Sequence, residues 1–488
     1  MNEQHPKVPS PLVSLIPILF LIGLLFFAVR IFGSDTLSGG SQIVLLIATA
    51  ICSLIAVFYC KVRWKAIELA ITNNISGITI AIFILLIIGA LSGSWMISGV
   101  VPTLIYYGMQ IIHPDWFLVS TCIICSIVSV MTGSSWTTVA TIGIALLGIG
   151  KAQGFSEGWI AGAIISGAYF GDKISPLSDT TILASSVMNT PLFQHIRYML
   201  ITTVPSMLLA CTIFTIAGLS HESTATDQIA MYSASLKDTF HISYWVLIVP
   251  VVTGLLIARR VPSVVTLFAS TMLAGVFALV FQPHLLHEIA GESAQDLLSA
   301  FKGLLITFYG HTQIETGNMA LNELVSTGGM GGMMSTIWLI LCATAFGGAM
   351  TASGMIGSLI SVFLRFMKHR VGMVTSTVIS GLLMNVTTAD QYMSIILTGN
   401  MFKDIYRKKG YESRLLSRTT EDAVTVTSPL IPWNTCGMTQ STVLGVSTFT
   451  YLPYCFFNLI SPLMSIMVAV IGYKIYRTNE KDQDFATD

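Results

Sequence analysis

The sequence predicts an all-α polytopic membrane protein built as inverted-topology repeats, with two re-entrant hairpins, broken helices and about ten full spans. Three observations carry this. Of 488 residues, 24 are Lys or Arg and 24 are Asp or Glu, so charge makes up 10% of the chain and hydrophobic residues 53%. An average soluble domain carries about 25% charge. Positions 69 to 114, 324 to 364 and 423 to 473 hold no Asp, Glu, Lys or Arg, giving uncharged stretches of 46, 41 and 51 residues. About 20 apolar residues span a bilayer as a helix, and the mean hydropathy of +0.76 agrees. The third observation is where the few charges fall.

Loop cations gather at Lys61, Arg63 and Lys65, at Arg259 and Arg260, at Arg365, Lys368 and Arg370, from Lys403 to Arg418, and at Lys474, Arg477 and Lys481. The positive-inside rule places these in the cytoplasm. The loops from Ser220 to Ile242 and from Gln282 to Lys302 are weakly acidic, with Glu222, Asp227, Asp238, Glu288, Glu292 and Asp296 against Lys237 and Lys302, and face outward. Lys7 with Pro6, Pro9 and Pro11 precedes an apolar run from Leu12 to Val29 without a small-residue cleavage site, so the first helix is read as retained. Spans at 12–30, 43–60, 75–92, 196–219, 243–258 and 262–281 then alternate from a cytoplasmic N-terminus.

Two stretches break the alternation. Val371 to Phe402 is apolar, has basic clusters at both ends and is interrupted by Asn385-Val386-Thr387-Thr388-Ala389-Asp390. It enters and leaves on one side, as a re-entrant hairpin does. Phe117 to Gly150, interrupted at Gly133-Ser134-Ser135-Trp136-Thr137-Thr138, has both ends outside and forms a second hairpin of opposite sense. An offset of 250 lays Thr137-Thr138 on Thr387-Thr388 and Asp172 on Asp422, and three residues more bring Ser175-Pro176-Leu177 onto Ser428-Pro429-Leu430. The organisation is therefore N-terminal spans (1–65), repeat 1 (66–219, hairpin 117–150, broken helix 158–190), connecting spans (220–302), repeat 2 (303–476, hairpin 371–402, broken helix 419–448) and a cytoplasmic tail (477–488).

After each hairpin comes a stretch too polar and proline-rich for continuous helix at membrane depth: Gly171-Asp172-Lys173-Ile174-Ser175-Pro176-Leu177-Ser178-Asp179-Thr180-Thr181, and Glu421-Asp422-Ala423 through Ser428-Pro429-Leu430-Ile431-Pro432-Trp433-Asn434-Thr435. Unwound backbone survives in a bilayer only where it lines a buried or water-filled cavity. Half-helix ends and freed carbonyls in such a place bind ions.

These two stretches resemble the paired signatures of the NhaC family of Na+/H+ antiporters, within the ion transporter superfamily, and the resemblance runs from about residue 10 to 476. It implies Na+ and H+ as transported partners, a cell inner membrane location with both termini cytoplasmic, and no organic cofactor; it is compatible with a homodimer. One departure stands out: Ile182 occupies the place of an Asn in the family pattern Thr-Thr-Asn-Leu-Ala, which removes one amide ligand.

An intramembrane carboxylate costs about 2.5 to 3.5 kcal/mol even on the lenient insertion scale, which singles out Asp172, Asp179, Asp390 and Asp422. Burial favours the proton on a carboxyl and a bound cation opposes it, so one Asp holds either H+ or Na+. Asp172 is read as the exchanging carboxylate and Asp179 as a second Na+ ligand or proton carrier, with Ser175, Ser178, Thr180 and Thr181 supplying the hard oxygens Na+ prefers. Asp422, Ser428, Asn434 and Thr435 complete the site from repeat 2, with Asp390 and Thr138 at the hairpin breaks. Lys173 either neutralises Asp172 or Asp179 in the empty state or anchors a helix end. For Asp179 and Asp422 the competing role is a helix N-cap.

Other features read more plainly. Glu421 either ends the basic loop or joins the site. His311 and Glu315, four apart, are a pH-sensing pair on one helix face or a solvated mouth. Gly328-Gly329-Met330-Gly331-Gly332 lacks the Gly-Lys-Ser/Thr of a phosphate loop and is a tight connection. Trp95, Trp116 and Trp159 are assigned to the aromatic belt, and the eight Cys, including Cys122 and Cys125, to helix filling rather than a metal. A pI near 7.1 excludes a nucleic-acid-binding face. An intramembrane aspartyl protease is disfavoured because Tyr169 breaks its Gly-x-Gly-Asp signature, and an ATP-driven pump because no nucleotide motif occurs. The runner-up is coupled exchange of a small organic solute, malate or lactate or an amino acid, for which Lys173 is the sole buried cation in the sequence reading.

Overall fold

The computed structural model describes residues 7–32, 39–220, 225–259, 261–291, 296–317, 321–322, 325–364, 367 and 369–477. The charges read at Glu222, Arg260, Glu292, Arg365, Lys368 and Lys481, and the tail beyond Arg477, lie outside these. The described residues are helical with no named strand, only isolated bridges Thr312–Thr327 and Tyr411–Arg477. Among them, nine helices are long and apolar enough to cross a membrane, or up to eleven if each of two bent pairs counts as one span. Large apolar side chains such as Phe20, Phe27, Leu208, Val276 and Val280 are exposed on these helices. Apolar surface on that scale is covered by lipid rather than water.

The span expected at 75–92 divides differently: one helix runs Trp64–Gly77 and the next Thr79–Ile97. The first hairpin consists of Pro114–Thr132 and Ser135–Ala152, the second of Arg370–Thr388 and Gln391–Lys408. Both first arms have 19 residues, about 28 Å at 1.5 Å per residue. Arms and breaks recur 256 positions apart rather than 250: Pro114 against Arg370, Thr132 against Thr388, and, in the broken helices, Asp179 against Thr435. In this register both hairpin breaks open with a left-handed residue, Gly133 (φ 65) and Ala389 (φ 56). Each is followed by an N-cap: Ser134 Oγ accepts from Thr137 N at 3.2 Å, and Asp390 Oδ1 from Met393 N at 2.9 Å. The Thr-Thr pairs that suggested an offset of 250 sit on opposite sides of their respective breaks.

Two apolar clusters form the interior. One packs around the first hairpin with Phe117, Cys122, Cys125 and Tyr169; the other packs around the second with Met384, Phe402 and Tyr406, and Trp136 touches both. The second arm and broken helix of each half cross over: Thr435–Leu444 packs on the turn after Ser135, and Asp179–Val187 packs on Gln391–Lys408.

Two readings fail. Of the alternatives for His311 and Glu315 the helix pair is lost, because both lie, exposed to solvent, in an extended segment beside the Thr312–Thr327 bridge and share no helix face. Trp95 is 3% exposed and its Nε1–H donates to Ser270 Oγ at 2.9 Å, so it belongs to the core, whereas Trp116 is exposed. The indole N–H found a buried hydroxyl, which an interfacial assignment from sequence position does not foresee.

A candidate ion-binding cavity where two broken helices meet

The helix Glu157–Ile174 stops because Ser175 precedes Pro176, and the pyrrolidine ring drives the residue before it out of the helical region; Ser175 is extended, with ψ 129. The chain restarts at Ser178, whose Oγ caps Thr181 N at 3.4 Å and opens the helix Asp179–Val187. In the second half, Ser413–Thr420 runs into a π-helical turn, Glu421–Thr425, then a single 3₁₀ turn, Ser428–Leu430, and restarts behind the Asn434 cap, which accepts from Cys436 N at 3.0 Å. π-helical turns inside helices recur at functional sites.

Asp172, one turn before the first break, is buried. Its Oδ2 accepts from Ser135 N at 3.1 Å and from Ser135 Oγ at 2.7 Å, so the first hairpin's second arm presents its N-terminal end to the carboxylate. A helix N-terminus favours negative charge there. Its Oδ1 has no hydrogen-bond partner on the protein. Asp172 lines a cavity of about 290 Å³ together with Thr132, Ser135, Thr137, Asp179, Thr180, Ser263, Gln391 and Tyr392. Gly133 shapes this wall, since a Cβ there would stand 2.7 Å from the Leu177 carbonyl carbon.

Of the residues read from sequence, Asp172, Asp179 and Thr180 line the cavity. Asp179 is exposed at its mouth and accepts from Tyr392 Oη at 2.6 Å, a bond that ties the two halves together. Ser175 Oγ donates to Val130 O at 2.8 Å, Thr181 Oγ1 to Lys173 O at 3.0 Å, Ser428 Oγ to Thr425 O at 2.8 Å and Thr138 Oγ1 to Ser134 O at 2.9 Å. These hydroxyls, with the caps Ser178 and Asn434, hold the breaks in shape. Thr435 Oγ1 donates to Asp390 Oδ2 at 3.2 Å, joining the second break to the second broken helix.

Lys173 meets neither Asp172 nor Asp179. Its Nζ pairs with Asp422 Oδ1 and lies 3.3 Å from Ser461 Oγ, with both side chains 0% exposed. Thr202 Oγ1 also donates to Asp422 Oδ1 at 3.0 Å, and Arg418 Nε stands 3.9 Å from Oδ2. Asp422 is inside the π-helical turn and is not an N-cap. Glu421 is fully buried rather than ending a loop.

Ser135, Gln391 and Tyr392 were not singled out from sequence, although each adjoins a hairpin break. Arg418 was counted with the cytoplasmic basic cluster and is 0% exposed; sequence distance from the loop gave no signal of this.

A polytopic helical bundle with a carboxylate-lined cavity between interrupted helices belongs to the class of secondary transporters. The model of the Na+/H+ antiporter family matches residues 167–473, which contain the breaks of both broken helices and the second hairpin. The chain is 39% identical to the Na+/H+ antiporter NhaC of Alkalihalophilus pseudofirmus, over 87% of this chain and 90% of that protein. It is 35% identical to the Na+/H+ antiporter NhaC of Bacillus subtilis over 84% and 87%. It is 37% identical to the malate-2H+/Na+-lactate antiporter of Bacillus subtilis over 85% and 86%. The chain belongs to the NhaC family of Na+/H+ antiporters, a family of transporters rather than enzymes.

Proposed function

We propose that this protein is a secondary active antiporter that exchanges Na+ for H+ by alternating access, with Asp172 as the exchanging carboxylate. The observation that carries the reading is Asp172 itself, which lines the 290 Å³ cavity and whose buried Oδ1 has no hydrogen-bond partner on the protein. Na+ bound there takes this oxygen together with hydroxyls of the wall, Thr137 and Thr180 among them. A proton on the same carboxyl excludes the ion, so each group leaves before the other binds. Asp179, at the mouth, relays ions between water and Asp172. The location is the cytoplasmic membrane of the cell, with re-entrant hairpins of opposite sense and both termini in the cytoplasm, as the loop cations direct.

Coupled transport of an organic anion is the weaker reading. Such a cargo wants a fixed cation in the cavity, and among the described lining residues there is no Lys, Arg or His; Lys173 is taken up by Asp422.

The test is reconstitution in liposomes with an interior pH dye under an imposed proton gradient, adding Na+, Li+, K+, malate, lactate or a basic amino acid in turn. Na+ alone restores the dye signal, and Asp172→Asn abolishes the response. A response that requires an organic solute moves the assignment to metabolite exchange, and full activity of Asp172→Asn removes Asp172 from the site.

A further inference from the structure

Beside the Asp172 cavity, but not lining it, lies a second group of buried charges. Lys173, Arg418, Glu421 and Asp422 are all 0% exposed. Asp422 answers Lys173. The Arg418 guanidinium makes no hydrogen bond through any of its three nitrogens; it stands over the Tyr198 ring at 4.7 Å. Glu421, three residues along the chain from Arg418, has no hydrogen-bond partner for either carboxyl oxygen, and the hydroxyls of Thr420, Thr425 and Ser465 are unpartnered as well. Native interiors pair the large majority of buried polar atoms, so a cluster of exceptions calls for a reason.

Charge balance supplies one. Two cations face two carboxyl groups. With Glu421 ionised the set is neutral; with Glu421 protonated it carries one positive charge in excess. An ionised carboxylate without donors is costly in such surroundings, so the arrangement seen, in which Asp422 holds Lys173 and Glu421 holds nothing, is that of a Glu421 carboxyl bearing its proton. Loss of that proton draws Lys173, the cation that acts on Glu421, toward it. Lys173 directly follows Asp172 in the helix Glu157–Ile174, so its movement acts on the ion site. The charges that act on Glu421 are Lys173, Asp172 and Asp422. Of the other elements packed on its turn, Arg370–Thr388 meets it through Asn385 and has its one charge, Arg370, at the opposite end; Phe456–Ile471 brings the uncharged Ser461 and Ser465, Gln391–Lys408 has its charges at the far end from its Asp390 cap, and Asp179–Val187 carries Asp179 at the cavity mouth. His195, hydrogen-bonded through Nδ1 to Ser417 Oγ at 2.8 Å, closes the cluster on the side of Leu192–Leu219.

We propose that Glu421 is a second proton-carrying site, distinct from the exchanging Asp172 and linked to it through Lys173, so that each Na+ is exchanged for more than one proton and the cycle moves net charge. This inference rests on the Na+/H+ reading above. The proton is taken from water on one side of the membrane and returned to water on the other; no other group is consumed.

The test uses the full chain in proteoliposomes, with radiolabelled Na+ and a pH dye read on the same vesicles and the membrane potential clamped or imposed with valinomycin and K+. The wild type moves more than one H+ per Na+ and responds to the imposed potential. Glu421→Gln keeps Na+/Na+ counterflow and Na+-driven H+ movement through Asp172, but its H+ to Na+ ratio falls to one and its rate no longer responds to potential. Glu421→Asp, which keeps a titratable carboxyl, retains both the ratio and the response. The proposal is overturned if Glu421→Gln keeps the wild-type ratio and potential dependence, or if it elutes as folded protein and has lost Na+ counterflow. A Glu421→Asp variant that behaves electroneutrally also overturns it, and remains informative where the Gln variant does not fold. A wild type without Na+-driven H+ movement overturns instead the reading on which the inference stands.

Discussion

Lys173 and Asp422, 249 positions apart, form an ion pair with both side chains closed to solvent. It joins the broken helix of one half to that of the other beside the Asp172 cavity. Two ions removed from water are held by each other, by Thr202 and by Ser461.

Breaking this pair leaves one buried charge uncompensated, which costs about 3–5 kcal/mol. The two single variants are expected to differ. Lys173→Met leaves Asp422 with Arg418 at 3.9 Å, whereas Asp422→Asn strips both cations of their carboxylate and costs more. Thermal unfolding in detergent is expected to rank the wild type above Lys173→Met and that above Asp422→Asn, with the double variant recovering most of the loss. Additive losses in the double variant would mean that the two residues do not interact.

The two hairpin breaks predict opposite signs for opposite substitutions. Gly133→Ala puts a Cβ on a left-handed residue and 2.7 Å from the Leu177 main chain. The expected loss is at least about 1–3 kcal/mol, with loss of Na+-driven transport because this wall carries Ser135. Ala389→Gly relieves a left-handed alanine worth about 1–2 kcal/mol, partly offset by chain entropy, so its unfolding midpoint stays level or rises. A fall in midpoint for both variants would refute the shared geometry of the breaks.

The cavity's side of opening can be read by labelling. Ser263 lines it and follows the Arg259 loop, which the positive-inside rule puts in the cytoplasm. Seven of the eight native Cys are buried and Cys211 is half-buried, so Ser263→Cys in a Cys211→Ser background reports one position. A membrane-impermeant thiol reagent is expected to label it in inside-out vesicles and not in intact cells, with Na+ slowing the reaction. Labelling from the outer face alone would reverse the orientation.

Much of the design is local and is therefore legible in the amino-acid order. Membrane class, helical spans, the first hairpin break and the first broken helix follow from apolar length, from charge counts and from Gly133 and Pro176, because a bilayer penalises every unpaired backbone group and every stray charge according to its own residue. The same rule singles out Asp172 and Asp179, carboxylates in otherwise apolar surroundings, and both line the cavity. What the tertiary structure decided is which charge meets which. Nothing in the order Asp172-Lys173 says that the lysine turns away from its neighbour to Asp422, that Arg418 leaves the basic loop for the interior, or that Ser135 rather than Ser175 donates to the Asp172 carboxylate. Those choices depend on Coulomb and hydrogen-bond energies that act over a few ångströms between helices remote in sequence, and only packing the two halves against each other sets those distances.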